Sequence, residues 1–222
     1  MSTRTSVVGR LTGARMTRKE DPRILTGRGR YVDDIQAAGL LHGCFVRSPV
    51  AHAALRGVDT AAAKALPGVR AVLTAEDLKE RTNPLDFGVP VEGLTTPAYT
   101  ALTGDRVRHV GDPVAFVVAE SRYVAEDAAS LVGLDLDPLP AVVTADAATG
   151  EAAALVHDQV DGNVMFRRER RNGDVDAAFE AADRVVRLSF SQHRWAPVPI
   201  ETRGGVASFD PASGVLTYEV SC

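Results

Sequence analysis

Short apolar runs of strand length alternate with Ala-rich stretches of helix length, and this alternation points to an α/β fold. The first such block has a strand over Leu40–Val46, a helix over Asp59–Leu66 and a strand over Val69–Thr74. Pro67-Gly68 ends the helix, because proline cannot continue it and glycine tolerates the turn that follows. The first third of the chain is therefore predicted to form a compact strand–helix–strand unit.

A second block of the same kind follows in the middle of the chain. It has a strand over Val114–Ala119, a helix that Ser121 caps and that runs to about Leu131, and a short strand over Leu134–Leu136. The two blocks could share one sheet, although the sequence does not fix the order of the strands. Between them, Asn83–Tyr99 is rich in proline and glycine and is interpreted as a surface excursion.

The last third of the chain predicts fewer elements. Asp174 can cap a helix that runs to Ala182, and Val185–Phe190 has the composition of a strand. Gly205–Phe209 and Val215–Val220, separated by a turn, predict a β-hairpin. Because natural domains rarely end on an apolar strand without a polar tail, we expect the chain to be a fragment of a longer protein.

Composition excludes several classes of function. The 222 residues carry a net charge of -4, which gives no support for nucleic-acid binding, and the run Arg167–Arg171 contains Glu169 and no aromatic residue. No apolar run approaches membrane-spanning length, and no leader-like segment precedes the first motif. With only Cys44 and Cys222, the cysteine content fits a reducing cytoplasm, where we expect the protein to reside.

Few residues have a pattern that predicts chemistry. The loop Gly27–Arg30 lacks the third glycine of a phosphate loop, and the paired acids Asp33-Asp34 fit a hydrogen-bonded turn. The five histidines have no zinc-site spacing, so we expect no metal ligands among them: His42, His52, His109, His157 and His193.

The segment from Gln192 to Gly205 has the most functional character. It contains two prolines, two glycines, and Glu201 and Arg203 two positions apart. Two interpretations remain open: a functional segment, or an ion pair between Glu201 and Arg203 that fixes a tight crossing of strands.

Five motifs in order resemble the large, molybdenum-binding subunit of molybdenum hydroxylases, the family of xanthine dehydrogenase, aldehyde oxidase and aerobic carbon-monoxide dehydrogenase. They extend over nearly the whole chain, from about Thr17 to Cys222. The motifs are Arg18–Ile35 with Leu41–Ala53, then Pro67–Leu78, Val110–Ala115 with Tyr123–Ala128, Asp137–Val142, and Glu201–Gly204.

The resemblance implies a fold of class α/β (α+β), with an a/b hammerhead domain followed by the start of the molybdopterin-binding domain. The implied boundaries are an N-terminal extension over 1–19, the hammerhead over 20–145, a connecting segment over 146–172, and the beginning of the molybdopterin-binding domain over 173–222. The substrate would be carbon monoxide, an aldehyde, or a purine or other N-heterocycle.

In such enzymes a glutamate late in the chain acts as the base, and molybdenum is held by a pterin cofactor. The resemblance implies that the loops contacting molybdopterin lie after the position of Cys222. It therefore assigns no catalytic residue and no metal ligand to this chain, and no cofactor is expected on the fragment alone. Glu201, Arg203 and Gly204 are carried over only as the segment that leads into the cofactor site.

Electrons would leave through iron–sulfur and FAD-binding partner subunits or domains, and the cysteine runs that ligate such clusters do not occur here. The complete enzyme would be an oligomer. The alternative is a free-standing α/β binding or assembly module without catalysis.

Overall fold

The computed structural model describes residues 16–85 and 91–221, which fall into two compact units. One unit is discontinuous and joins residues up to Ala38 with residues from Ser189 onward, and the other extends over Gly39–Leu188. The helices are α1 Asp21–Leu25, α2 Ala61–Ala65, α3 Ala75–Leu78, α4 Arg122–Ser130, α5 Ala145–Ala148 and α6 Val175–Glu180. The strands are β1 His42–Arg47, β2 Ala53–Asp59, β3 Val69–Thr74, β4 Arg106–Val107, β5 Pro113–Ala119, β6 Gly133–Pro138, β7 Gly205–Asp210 and β8 Val215–Val220.

The continuous unit contains two three-stranded sheets. In the first, β5 lies between β1 and β3 and is antiparallel to both, so that Phe116 is level with Phe45 and Leu73. Helix α4 packs on this sheet, and α2 contributes to the same core. Buried small and β-branched residues from both layers form that core: Val46, Ala63, Val72, Ala115, Val117, Ala128 and Val132.

The second sheet differs from the sequence expectation. Strand β2 pairs with β4 on one side and with β6 on the other, both antiparallel. The two strand–helix–strand blocks therefore share a sheet only in part, because β5 of the second block lies between β1 and β3 of the first, whereas β6 pairs with β2 in the other sheet. A small core of Ala53, Val107 and Val114 lies against this sheet.

Side chains fix the starts of three helices. The Thr74 backbone N–H donates to Asp77 Oδ2 at 2.8 Å and the Thr74 hydroxyl donates to the same oxygen at 2.9 Å, which fixes the start of α3. Ser121 Oγ accepts the Val124 N–H at 3.2 Å at the start of α4. Asp174 caps α6 in the same way, by accepting the Ala177 N–H.

The segment after α5 is ordered by one side chain. Asn163 Oδ1 accepts the Val156 N–H at 2.8 Å, and Asn163 Nδ2 donates to the carbonyls of Ala148 and Ala154, both at 3.0 Å. The Asn163 backbone has a φ of 58°, in the left-handed region that few non-glycine residues adopt. This amide therefore ties together three points of an otherwise irregular stretch.

The predicted strand over Val185–Phe190 is wrong. The structure has no strand there, although the composition favours one, because strand formation needs a partner and none lies beside this segment among the described residues. The hairpin prediction is confirmed by β7 and β8, which pair in register from Gly205 opposite Val220 to Asp210 opposite Val215. The proline-rich excursion has one isolated bridge, between Leu85 and Tyr99, and its residues 86–90 lie outside the described part.

Candidate functional site

The segment singled out in the sequence lies in the discontinuous unit and is held by the N-terminal part of the chain. The Val32 N–H donates to Glu201 Oε1 at 2.7 Å, and both residues are half-buried. Val32 begins a 3-10 turn over Val32–Asp34, whose start is fixed by Asp34 Oδ2 accepting the Tyr31 N–H at 2.9 Å. Glu201 thus joins two parts of the chain that are 169 residues apart.

The ion pair between Glu201 and Arg203, one of the two interpretations that the sequence left open, does not form in the described part of the chain. The residues around Glu201 are bent rather than extended, so the two side chains do not share one face as they would along a strand. The Glu201 carboxylate instead satisfies a backbone donor. Its role here is to position the N-terminal turn.

Sequence reasoning missed Ser221. Its hydroxyl donates to the Thr202 carbonyl at 3.0 Å and accepts the Gly204 N–H at 3.0 Å, while its backbone N–H donates to the Gly204 carbonyl at 3.1 Å. Ser221 therefore fastens the end of β8 to the segment that precedes β7. A serine after an apolar strand carries no signal of such a role, because the partners are 17 and 19 residues away.

One of the two glycines of the segment, Gly205, permits close packing. A Cβ atom at Gly205 would collide with the Tyr218 hydroxyl and lie 2.6 Å from two ring carbons of that tyrosine, which covers the glycine from the neighbouring strand. At Gly204 a Cβ atom would approach the Val32 side chain to 3.6 Å, an ordinary contact. Glycine is therefore required at 205 for the ring of Tyr218 to lie where it does.

Ion pairs contribute little to the stability of this segment. Arg30 Nη2 lies 3.4 Å from Glu219 Oε2, and both side chains are about half exposed or more. Exposed pairs of this kind contribute roughly 0–1 kcal/mol. The loop Gly27–Arg30 starts where α1 ends. There the Gly27 N–H donates to the Ile24 carbonyl, and Gly27 has a φ of 69°.

The polar side chains of this segment that the structure describes are paired within the protein at Glu201 and Ser221. The carboxylate of Glu201 and the hydroxyl of Ser221 are engaged within the protein, and the Tyr218 ring fills the space above Gly205. Within residues 16–85 and 91–221, no three His, Cys, Asp or Glu side chains group as metal ligands would.

The surroundings of Cys44, the cysteine that the structure describes, disfavour ionisation of its thiol. It lies half-buried on β1, and this burial, followed by the Glu126 carboxylate, raises the pKa of its thiol above the ordinary value of 9.0. A raised pKa favours the protonated thiol over the nucleophilic thiolate at neutral pH. No helix in the described part is long and apolar enough to cross a membrane.

Two family models match the chain in succession. The model described as "Aldehyde oxidase and xanthine dehydrogenase, a/b hammerhead domain" matches residues 26–140, and the model described as "Molybdopterin cofactor-binding domain" matches residues 156–222. The first match contains the two three-stranded sheets and α4. The second contains Glu201, Ser221 and the hairpin.

Two large subunits of oxidoreductases are similar to the chain over most of its length. The chain is 42% identical to the nicotine 6-hydroxylase large subunit of Paenarthrobacter nicotinovorans, over 94% of this chain and 26% of that protein. It is 41% identical to the carbon monoxide dehydrogenase large chain of Afipia carboxidovorans, over 92% of this chain and 26% of that protein.

Among solved structures, quinoline 2-oxidoreductase from Pseudomonas putida 86 superposes with a TM-score of 0.83 at 40% identity, over 91% of this chain and 26% of that chain. The chain thus spans about a quarter of the length of the relatives it matches. On the hammerhead match and these identities, the chain belongs to the aldehyde oxidase and xanthine dehydrogenase family.

Proposed function

We propose that this chain is the N-terminal part of the molybdenum-binding subunit of a molybdenum hydroxylase, an oxidoreductase that hydroxylates its substrate with oxygen derived from water. The observation that carries the proposal is the succession of the two matches, a hammerhead domain and then a molybdopterin cofactor-binding region, in one chain. The alternative, a free-standing binding module, gives no reason for the second region. The relatives named above are a hydroxylase and a dehydrogenase subunit, which favours the enzyme.

In this proposal the chain contributes scaffold and molybdopterin contributes the redox chemistry when bound. Glu201 holds the N-terminal turn, and Ser221 fixes the strand after which the chain leads on to cofactor-contacting loops. Arg203 and Gly204 belong to the same segment, which leads towards the cofactor site. The polar groups of Glu201 and Ser221 are already paired within the protein, which supports a positioning role and gives no support for a catalytic one.

Substrate and partners are the less specific parts of the proposal. The matched relatives are named for nicotine and carbon monoxide, and the hammerhead model is named for aldehyde oxidase, so an N-heterocycle, carbon monoxide and an aldehyde all fit the family. Iron–sulfur and FAD-binding subunits would accept the electrons, in keeping with relatives that are named as large subunits or as a complex subunit. A cytoplasmic location agrees with the low cysteine content.

A replacement experiment tests the proposal. The matched quarter of the Afipia carboxidovorans large chain is exchanged for this chain, and the chimaera is expressed in a host that makes the cofactor. We expect elemental analysis to find molybdenum that stays with the chimaera through gel filtration. A folded chimaera without molybdenum, beside a parent protein that retains it, would contradict the proposal. The chain alone is expected to retain no stoichiometric molybdenum and to oxidise no family substrate.

A further inference from the structure

The segment over residues 184–190 has the composition of a β-strand. Val186, Leu188 and Phe190 alternate with Arg187 and Ser189, so that an extended backbone would carry three apolar side chains on one face. β-Branched and aromatic residues of this kind are enriched in strands that pack on a core. The segment therefore has the alternating pattern of a strand, although the structure has no strand at this position.

The structure leaves this segment without partners. Within the described part of the chain, no hydrogen bond involves the backbone of residues 184–200. Val186, Leu188 and Phe190 are 77%, 72% and 87% exposed. A strand-forming segment with free N–H and C=O groups and an exposed apolar face is a template for pairing with another strand.

The comparisons indicate what would pair with it. The segment falls inside the match to the molybdopterin cofactor-binding region, and roughly three quarters of each relative lies outside its match to this chain. A partner strand from that polypeptide would lie on the same subunit of the relative as the part that matches this chain. The partner strand and residues 184–190 would also be present in a one-to-one ratio in the assembled subunit.

We infer that residues 184–190 become a β-strand by pairing with a strand of the polypeptide that the relatives carry outside the matched region. This inference rests on the proposed function. Pairing satisfies the free backbone groups, and Val186, Leu188 and Phe190 are buried against that polypeptide. The pairing would align the segment that leads, through Glu201, into the cofactor site.

Hydrogen exchange read by mass spectrometry tests the inference. It is measured on this chain alone, on this chain mixed with the Afipia carboxidovorans large chain that lacks its matched quarter, and on the chimaera of the two. We expect peptides within 184–190 to exchange rapidly in the chain alone and about 10-fold more slowly, or slower still, in the mixture or the chimaera.

Two pairs of variants separate strand pairing from general stickiness. Arg187→Pro removes a backbone donor at the centre of the strand and should abolish the protection. Arg168→Pro makes the same change in an exposed irregular stretch and should have no effect. Likewise, Val186→Lys with Leu188→Lys should abolish the protection. Val143→Lys with Leu25→Lys, at positions 81% and 84% exposed, should leave it intact.

Several outcomes would overturn the inference. Rapid exchange of 184–190 in both the mixture and the chimaera would do so, whether or not the chimaera retains molybdenum. Protection that survives Arg187→Pro, or that grows with the concentration of the chain alone, would assign the surface to another contact or to a second copy. Loss of molybdenum from a chimaera in which 184–190 is protected would count against the proposed function and leave the strand pairing standing.

Discussion

Glu201 connects the two ends of a discontinuous unit through one charge-assisted hydrogen bond. The segment that contains it was recognisable from its prolines, glycines and charges, but its partner was not. Sequence proximity suggested Arg203 as the partner. The Glu201 carboxylate instead accepts a hydrogen bond from the backbone N–H of Val32. A backbone donor leaves no trace in the amino-acid pattern, so a contact of this type cannot be predicted from composition or spacing.

Replacement of Glu201 should loosen the N-terminal turn. Glu201→Ala leaves the half-buried Val32 N–H without its acceptor, which costs about 1–2 kcal/mol. Hydrogen exchange of the Val32 amide should then accelerate roughly 5–30-fold. Glu201→Gln keeps an acceptor oxygen and should have a smaller effect, while Glu169→Ala, at an exposed position, serves as control. Equal exchange in the wild type and in Glu201→Ala would exclude a stabilising role for this bond.

At the scale of elements, local signals predicted local structure. The strand over Val69–Thr74 and the caps Ser121 and Asp174 are confirmed because capping and turn chemistry act within four residues. Strand β2 was missed because Ala53–Asp59 contains a glycine and an arginine and has no alternating apolar pattern. Its place in the sheet comes from β4 and β6, which lie far along the sequence.

The capping box of α3 should give stability that depends on pH. The Thr74 N–H, and then the Thr74 hydroxyl, hold the pKa of Asp77 below its ordinary value of 3.8. A lowered pKa means that the stabilisation is fully present above pH 3.8 and is lost as the pH falls through the folded-state value. Asp77→Asn should therefore lower the free energy of unfolding at neutral pH, by at most about 1 kcal/mol.

Denaturant titrations of wild type and Asp77→Asn at several pH values measure this dependence. The difference between the two proteins should shrink as the pH falls below 3.8. Glu76→Gln, in the same turn, is the matched control because Glu76 makes only an exposed pair with Lys79 at 3.8 Å. A difference that stays constant down to strongly acidic pH would argue that the charge of Asp77 does not contribute.

Asn163 should control the order of the irregular segment around it. Asn163→Ala removes three hydrogen bonds and keeps a backbone with positive φ, so we expect a loss of about 1–3 kcal/mol. Asn163→Gly should lose roughly 1 kcal/mol less, because glycine tolerates this conformation. Exchange of the Val156 amide and thermal unfolding measure both effects. Asn172→Ala, at an exposed site, should change neither, and an equally silent Asn163→Ala would refute the role.

For the whole molecule, stability should differ between its parts. Strand β5 lies at the centre of a sheet, and its Val114, Ala115, Val117 and Ala119 side chains are fully buried. The hairpin of β7 and β8 has only two strands, and nearly all of its residues are exposed. Because isolated hairpins are marginal in water, we expect amides of β5 to exchange far more slowly than those of β7 and β8. Equal exchange in both would contradict this ranking.

The predicted domain boundaries at 19, 145 and 172 stay a prediction, and the units of the structure show why such boundaries are difficult to infer. Residues 16–38 and 189–221 belong to one unit although a complete unit of other residues separates them. Hydrophobic periodicity and turn chemistry describe neighbours in sequence and contain no information on which distant segments will meet. Family resemblance supplied the fold class, which is now supported by the two family matches.

The bond between Val32 and Glu201 also sets an order of events during synthesis. A ribosome that adds about 5–20 residues per second needs on the order of 10 to 30 s to make the 169 positions that separate these partners. During that interval the N-terminal turn has emerged without its acceptor, while the residues of the continuous unit are already available to fold. The continuous unit must therefore be synthesised before the hydrogen bond between Val32 and Glu201 can form.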